Sequence, residues 1–489
     1  MQKGGFLKSI TFNRFILLLC GIYIGMVLFI HSRLQADRPP QQIDNDSKSE
    51  YQLTEKLDLS DLKTWVNNKK ELNQLSKDIS DLERKVYQAK KQVDGLKKQN
   101  ENPKSSNCLQ HSNEGVKNSS FKILEQGVYV FSAYLDDRKP NVFIRLMVLL
   151  EKTKKKVPIF CHINSVIIIA KQYEMCENHN KPFGGYIYSC ELPRNMSNPC
   201  PLHVSTVYAS SASSEVALPI IPVKPLSKPQ QFGICISPLF GSVKKEKIVE
   251  FIELSQVLGA NHFYFYDNNI SAEMKMTLNY YEQKNIVTVV PWDLPSVIFD
   301  NKIWYHGQLI AHNDCLYRSM STLQHVLFND IDEFVIPHTS AKYWKNLFPS
   351  VFKDQYCGIA FSSAFYDPAI GVTHPSGLQT MSITGRTKLF SHVRTKIMVK
   401  PQRVFEVGIH HVSKQNEEKW SVQKFKPEVA YLHHYRKCIG NYGMKCSQFE
   451  KDTTIFSYYD ELKDRFDFSM REINKFSSAL SPNVTQKVV

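Results

Sequence analysis

Hydrophobic positions change their spacing several times along this 489-residue chain, and each change predicts a different element. Residues 15–30 form an uncharged apolar run bounded by Arg14, His31 and Arg33. As a helix the run would span roughly 24 Å, enough for a thin bilayer. Lys3, Lys8 and Arg14 precede it, so the basic bias predicts a cytosolic tail over 1–14 and a transmembrane signal anchor over 15–30. His31-Ser32-Arg33-Leu34-Gln35-Ala36 makes a poor small-x-small cleavage site, which favours a retained anchor over a cleaved leader. Leu72, Leu75, Ile79, Leu82, Val86, Ala89, Val93 and Leu96 then recur at spacings of three and four. That seam predicts a coiled coil over 72–96 within a stem of 31–114, and a homodimer through it. A single amphipathic helix is the competing reading.

Between 115 and 228 the pattern shortens to β-like runs at 128–134, 142–150, 166–170 and 204–208, a β-rich module punctuated by cysteines and turn residues. From Gln231 strand and helix patterns alternate: strands at 232–237, 262–266 and 286–290, helices at 245–258, 272–284 and 311–320, then a strand at 325–328. This order predicts an α/β domain over 229–440 with a mainly parallel sheet and right-handed crossovers, followed by a C-terminal extension over 441–489.

Ligands of such sheets sit beyond the carboxyl ends of the strands. Three strand ends carry polar residues here: Ser237, Asp267, and the pair Asp330 and Asp332. Two carboxylates one residue apart, where a buried strand emerges, suit a hard divalent cation that can hold a diphosphate. The tripeptide alone is weak, because Asp-x-Asp arises by chance roughly once per 300 residues. Asp44-Asn45-Asp46 is a second copy, without a strand before it. Convergence of three strand ends on one rim gives Asp330-Ile331-Asp332 its weight.

A net charge of +14 admits nucleic acid as a partner, but the lysines are dispersed or concentrated in the stem, and a luminal chain does not meet nucleic acid. Of eleven cysteines Cys20 lies in the apolar run, and the even number beyond it suits disulfides in an oxidising lumen. Five sequons, at Asn45, Asn118, Asn195, Asn269 and Asn483, fit N-glycosylation.

The stretches Cys235-Ile236-Ser237-Pro238-Leu239-Phe240-Gly241, Asn261-His262-Phe263-Tyr264-Phe265-Tyr266-Asp267, Asp314-Cys315-Leu316-Tyr317-Arg318 and Asp330-Ile331-Asp332-Glu333-Phe334 resemble the serial motifs of glycosyltransferase family 92. The resemblance continues through Arg394-Thr395-Lys396 and Gly408-Ile409-His410. It implies a GT-A-like nucleotide-sugar-binding domain in a single-pass type II protein of the Golgi membrane. It also implies an inverting β-1,4-galactosyltransferase that uses Mn²⁺ and UDP-galactose and acts on a galactose or fucose residue of N-glycans.

Under that resemblance Asp332, with Asp330 directly or through water, would hold the metal, and His410 would complete its site. His411, His433 and His434 lie close enough in sequence to compete with His410. Ser237, Asp267, Arg318 and Asp330 would bind the nucleotide-sugar. Asp267 is also placed for an Asx turn before Asn268, and Arg318 for a salt bridge oriented by Asp314. Glu333 is assigned to packing or support of the metal ligands. Inverting transfer needs a general base, for which Asp367 is chosen over Glu406, although Asp367-Pro368 also reads as a turn. Two other classes remain open: an inactive luminal glycan-binding or scaffold protein, and a sugar-phosphate transferase.

Overall fold

The computed structural model describes residues 119–480, except 195, 197–198, 201, 208–214, 300 and 442–443. The chain divides into two compact units, Met1–Lys98 and Gln99–Val489, and every described residue belongs to the second.

A ten-stranded sheet organises that unit. Its strands, in chain order, are β1 Gln230–Ile236, β2 Leu239–Gly241, β3 His262–Ile270, β4 Val287–Pro291, β5 Leu323–Asn329, β6 Glu333–Pro337, β7 Tyr356–Phe365, β8 Ser391–Val399, β9 Ser421–Lys424 and β10 Ala430–His434. The spatial order is β2-β3-β1-β5-β8-β7-β10-β6, with β4 beside β3 and β9 beside β7. Helices α1 Lys245–Leu258, α2 Ala272–Gln283 and α3 Gln308–Ser319 connect the first five strands. β1 pairs in parallel with both β3 and β5, as the alternating pattern predicts.

Strand alternation sends successive side chains to opposite faces. Phe232, Ile234, Phe263 and Phe265 join α1 and α2 in one apolar cluster, while Cys235, Tyr264 and Tyr266 join α3 in another. The second cluster also contains Phe131, Tyr134, Met147 and Ile187 of the β-rich module, so module and α/β domain share a core. A disulfide between Cys235 and Cys315 fastens β1 to α3 beneath the rim. Cys161 pairs with Cys190 and Cys438 with Cys446, whereas Cys176 and Cys357 are free.

The expected fold class needs correction. The chain forms a mixed α/β domain with a large β-sheet: six of the nine pairings in it are parallel, while β5 with β8, β7 with β8, and β6 with β10 are antiparallel. After β5 the chain doubles back so that β8 lies antiparallel between β5 and β7, although β7 itself runs parallel to β9 and β10. The membrane and coiled-coil expectations are corrected as well. The segments 15–30 and 72–96 lie outside the described residues, and among the described residues no helix is long and apolar enough to cross a membrane. The described residues therefore give no support to a membrane partner, a Golgi type II topology or a dimer through a coiled-coil stem, and those readings are not carried further.

Candidate functional site

Register alone brings three distant segments together. Ile236 on β1 pairs with Asn329 on β5, so Ser237 and Asp330 leave the sheet side by side. The Ser237 hydroxyl donates to Asp330 Oδ1 at 2.6 Å and accepts from Gln308 Nε2 at 2.7 Å. On the other side of β5, Ile397 of β8 pairs with Phe328. Its neighbour Lys396 donates to Asp330 Oδ2 at 2.9 Å and lies 3.1 Å from Glu333 Oε2. Farther along the sheet, Glu333 on β6 pairs with His434 on β10. This sets His434 Nε2 3.8 Å from Asp332 Oδ1 and His434 Nδ1 3.4 Å from Glu333 Oε1.

The two aspartates occupy different electrostatic settings. Burial raises the pKa of Asp330, but Lys396 and the Ser237 hydrogen bond outweigh it and hold the carboxyl well below the usual range. Asp332 is raised: burial dominates, the neighbouring Glu333 and Asp330 add to it, and His434 opposes. Burial pushes Glu333 up to about 7 despite Lys396. Burial also lowers His434 to about 4, so its imidazole is neutral and Asp332 lacks a full counter-charge. About 22% of the Asp332 side chain and 32% of that of Asp330 remain exposed, which opens the pair to a ligand.

A divalent cation fits this donor set. Asp332 offers a carboxylate with raised pKa, and His434 offers a neutral imidazole whose Nδ1 is buried without a hydrogen-bond partner. His410 is a second nitrogen donor on the rim. Its Nδ1 donates to the Thr395 carbonyl at 2.8 Å, the outer bond that fixes a ligating imidazole and leaves Nε2 for a metal. Asp330, already held by Lys396 and Ser237, is better suited to fixing the loop than to gripping the ion by itself.

Beyond the ends of β2 and β3 lies a cleft of about 590 Å³ lined by Phe240, Asn268, Asn269, Asp293, Trp304 and Tyr305, among others. Tyr305, His306 and Gly307 all have positive φ, at 38°, 54° and 79°. Three consecutive left-handed residues are costly for non-glycine side chains and persist only where surroundings impose them. Here the His306 carbonyl accepts from Trp292 Nε1 at 2.8 Å, and the imidazole lies against Phe240 with ring centres 3.9 Å apart. Burial raises the Tyr305 phenol, and the charges of Asp330 and Asp332 raise it further.

Other expected site residues lie elsewhere or are already engaged. Asp267 Oδ1 accepts from Ile270 N at 2.9 Å and Oδ2 pairs with Lys275 at 3.1 Å, the Asx-type arrangement. Arg318 is fully buried, with Nε 3.0 Å from Asp314 Oδ2. Asp314 also accepts from Ser132, Tyr134 and Tyr266, so this ion pair joins the β-rich module to α3 and does not face the rim. Asp367 caps a short helical turn through Ala369 N at 2.9 Å and accepts from Cys438 N at 2.9 Å. Glu406 is buried and accepts from Cys176 N and Tyr173 OH, both at 2.7 Å. Asn269 is exposed and lines the cleft, while Asn45, Asn118, Asn195 and Asn483 lie outside the described residues.

Among the described residues two groups bring three ligand-type side chains within 4.8 Å of one another, and neither includes the acidic pair: Cys176, Glu177 and His411, and His338, His433 and Asp452. In the second group Asp452 already accepts from the Tyr366 and Tyr431 hydroxyls and sits 3.6 Å from Arg386 Nε, so a saturated hydrogen-bond network occupies the space.

Residues 230–470, which include every strand and helix around the rim, match the profile of glycosyltransferase family 92. The chain belongs to glycosyltransferase family 92. It is 29% identical over 329 residues to the beta-1,4-galactosyltransferase galt-1 of Caenorhabditis elegans, an alignment covering 65% of this chain and 76% of that protein. A second Caenorhabditis elegans protein, described as a glycosyltransferase family 92 protein, is 26% identical over 29% of each chain. A galactan beta-1,4-galactosyltransferase of Arabidopsis thaliana is 24% identical over 47% of this chain and 46% of its own length. Within this family 92 chain, sequence reasoning passed over Lys396 and Gln308. The motif Arg394-Thr395-Lys396 held the first signal, but a lysine on a strand identifies itself only once its register against β5 is known.

Proposed function

We propose that this glycosyltransferase moves galactose from UDP-galactose to a glycan with inversion, forming a β-1,4 linkage to a galactose or fucose residue of N-glycans, and that it requires a divalent cation such as Mn²⁺. The observation that carries the reading is the meeting of Ser237, Asp330, Asp332, Lys396 and His434 at one end of the sheet. The names of the nematode and plant relatives support galactose and the linkage.

Asp332 and His434, with His410 as the further candidate, would hold the cation. When bound, such an ion neutralises the charge that develops on a departing nucleoside diphosphate. Lys396 and Ser237 fix the Asp330 carboxylate, so the loop that bears Asp332 is set before substrate arrives. The aromatic cleft beside the pair supplies flat faces for a nucleoside, with Asn268 and Asp293 as polar contacts for its base and ribose. Inverting attack also needs a base for the acceptor hydroxyl. Asp367 and Glu406 each have both carboxylate oxygens engaged, so neither is assigned that role here.

The test is incubation of the full chain with a panel of UDP-sugars and N-glycan acceptors, with Mn²⁺ or with chelator. Galactose transfer that needs metal and is lost in Asp332→Ala is the expected result. Glycan binding without transfer from any donor would sink the reading and favour a scaffold.

A further inference from the structure

We propose that Cys176, Glu177 and His411 form a second divalent-cation site, selective for a thiophilic ion of the Zn²⁺ class and separate from the acidic pair. The thiol, one carboxylate oxygen and one ring nitrogen all lie within 4.8 Å of one another. Cys176 Sγ is 3.9 Å from His411 Nε2, and His411 Nδ1 is 3.9 Å from Glu177 Oε1. Tetrahedral zinc with bonds of ~2.3 Å to sulfur and ~2.0 Å to nitrogen sets those ligands about 3.5 Å apart. The two distances involve different ring nitrogens, so binding one ion requires the His411 ring, 52% exposed, to turn until a single nitrogen faces both Cys176 Sγ and Glu177 Oε1.

The backbone is shaped for the cluster. A Cβ on Gly408 would stand 2.5 Å from Glu177 Oε2, 2.7 Å from His411 Cε1 and 2.9 Å from Ser413 Oγ, so only glycine lets these groups converge. Ile409 N donates to Glu177 Oε2, which leaves Oε1 to face the imidazole. Cys176 is held from behind, its N–H donating to Glu406 at 2.7 Å. A cavity of about 540 Å³, lined by Cys176, Glu177 and His179, gives solvent and ions access.

The chemistry separates the two sites. Thiolate with imidazole and carboxylate is a set for zinc-like ions, whereas the oxygen-rich acidic pair suits Mg²⁺ or Mn²⁺. Burial and the carboxylates of Glu406 and Glu177 push the Cys176 thiol up to about 12, which disfavours a free nucleophilic cysteine despite the neighbouring histidine. A bound cation would displace the thiol proton to solvent, leaving sulfur, carboxylate and divalent ion with no net charge. Cys176 belongs to the β-rich module, whereas His411 ends the turn that follows the strand Val404–Val407 and carries His410. The ion would therefore staple the module to the turn beside the proposed galactosyl-transfer site, although the metal-binding claim holds independently of that activity.

Titration of the metal-stripped, non-reduced full chain with Co²⁺ tests the proposal. A thiolate-to-cobalt charge-transfer band is expected in the wild type and in Cys357→Ser, and is expected to vanish in Cys176→Ser. His411→Ala should weaken Co²⁺ binding by at least ~10-fold, the loss that even a supporting contact costs a metal site. If Cys176→Ser misfolds, the intact protein decides: Zn²⁺ should protect Cys176 from alkylation, and prior alkylation should abolish the band. No band in the wild type, a band that survives loss or alkylation of Cys176, or alkylation unaffected by Zn²⁺ would overturn it.

Discussion

Lys396 Nζ lies 2.9 Å from Asp330 Oδ2, joining two residues of neighbouring strands in a buried ion pair at the rim. Glu333, 3.1 Å away on the other side, makes Lys396 the shared counter-charge of two acids. The Lys396 and Glu333 side chains are each only 2% exposed, so removing the lysine leaves the Glu333 carboxylate without compensation where water reaches it poorly. Lys396→Met should lower stability by about 3 kcal/mol or more. Denaturant unfolding measures this, and a loss below about 1 kcal/mol would show that the pair is solvent-screened.

Asp332 should behave in the opposite way. Its ionised form is disfavoured by burial and by Glu333 and Asp330, and the neutral His434 and the charge of Lys247 only partly oppose them. Asp332→Asn therefore removes repulsion and should leave the metal-free melting temperature unchanged or slightly higher. The same substitution should abolish the upward shift that Mn²⁺ produces in the wild type, together with metal-dependent transfer. A retained Mn²⁺ shift in the variant would place the cation elsewhere.

The contrast between these residues shows what the sequence made legible. Ser237, Asp330 and Asp332 were readable because each follows an apolar strand, and parallel pairing of β1 with β5 puts such ends side by side. His434 was visible only as one of four candidate histidines, since its place depends on the antiparallel rung with Glu333. Arg318 looked like a phosphate ligand because the helix before the metal strand was correctly located. Its direction was not readable, because it is set through Asp314 by Ser132 and Tyr134 of a module about 180 residues away. The three antiparallel pairings were missed for a similar reason: the mutual direction of strands far apart in the chain leaves no periodic signature.

Asp367 offers a test of structural against chemical roles. Its oxygens accept from Ala369 N and Cys438 N, capping the turn and holding the segment that carries the Cys438–Cys446 disulfide. Asp367→Ala should cost about 1–2 kcal/mol as a lost cap. Transfer at a temperature where the variant stays folded should fall by no more than a few-fold. A loss of kcat by a hundred-fold or more, with the melting temperature unchanged, would instead make Asp367 the base.

Acid should destabilise the domain through histidines that lie away from the rim. Burial lowers His262 to about 4 and His325 to about 4, each partly offset by a hydrogen bond with a backbone carbonyl. His262 Nδ1 meets the Asn285 carbonyl at 3.2 Å and Nε2 meets Thr288 Oγ1 at 2.8 Å, a pattern that suits the neutral ring. In the unfolded chain these imidazoles take up protons near pH 6.5, whereas in the folded chain they resist until about pH 4. The unfolded state then binds more protons across that window, so their contribution is complete above about pH 6.5 and is lost as pH falls toward 4. Each accounts for up to about 3 kcal/mol of that fall. Denaturant unfolding at pH 7.5 and pH 5 should show the loss, and His262→Gln, which keeps a polar side chain but cannot titrate, should shrink it. An identical pH dependence in the variant would mean that His262 is protonated as readily in the folded domain as in the unfolded chain.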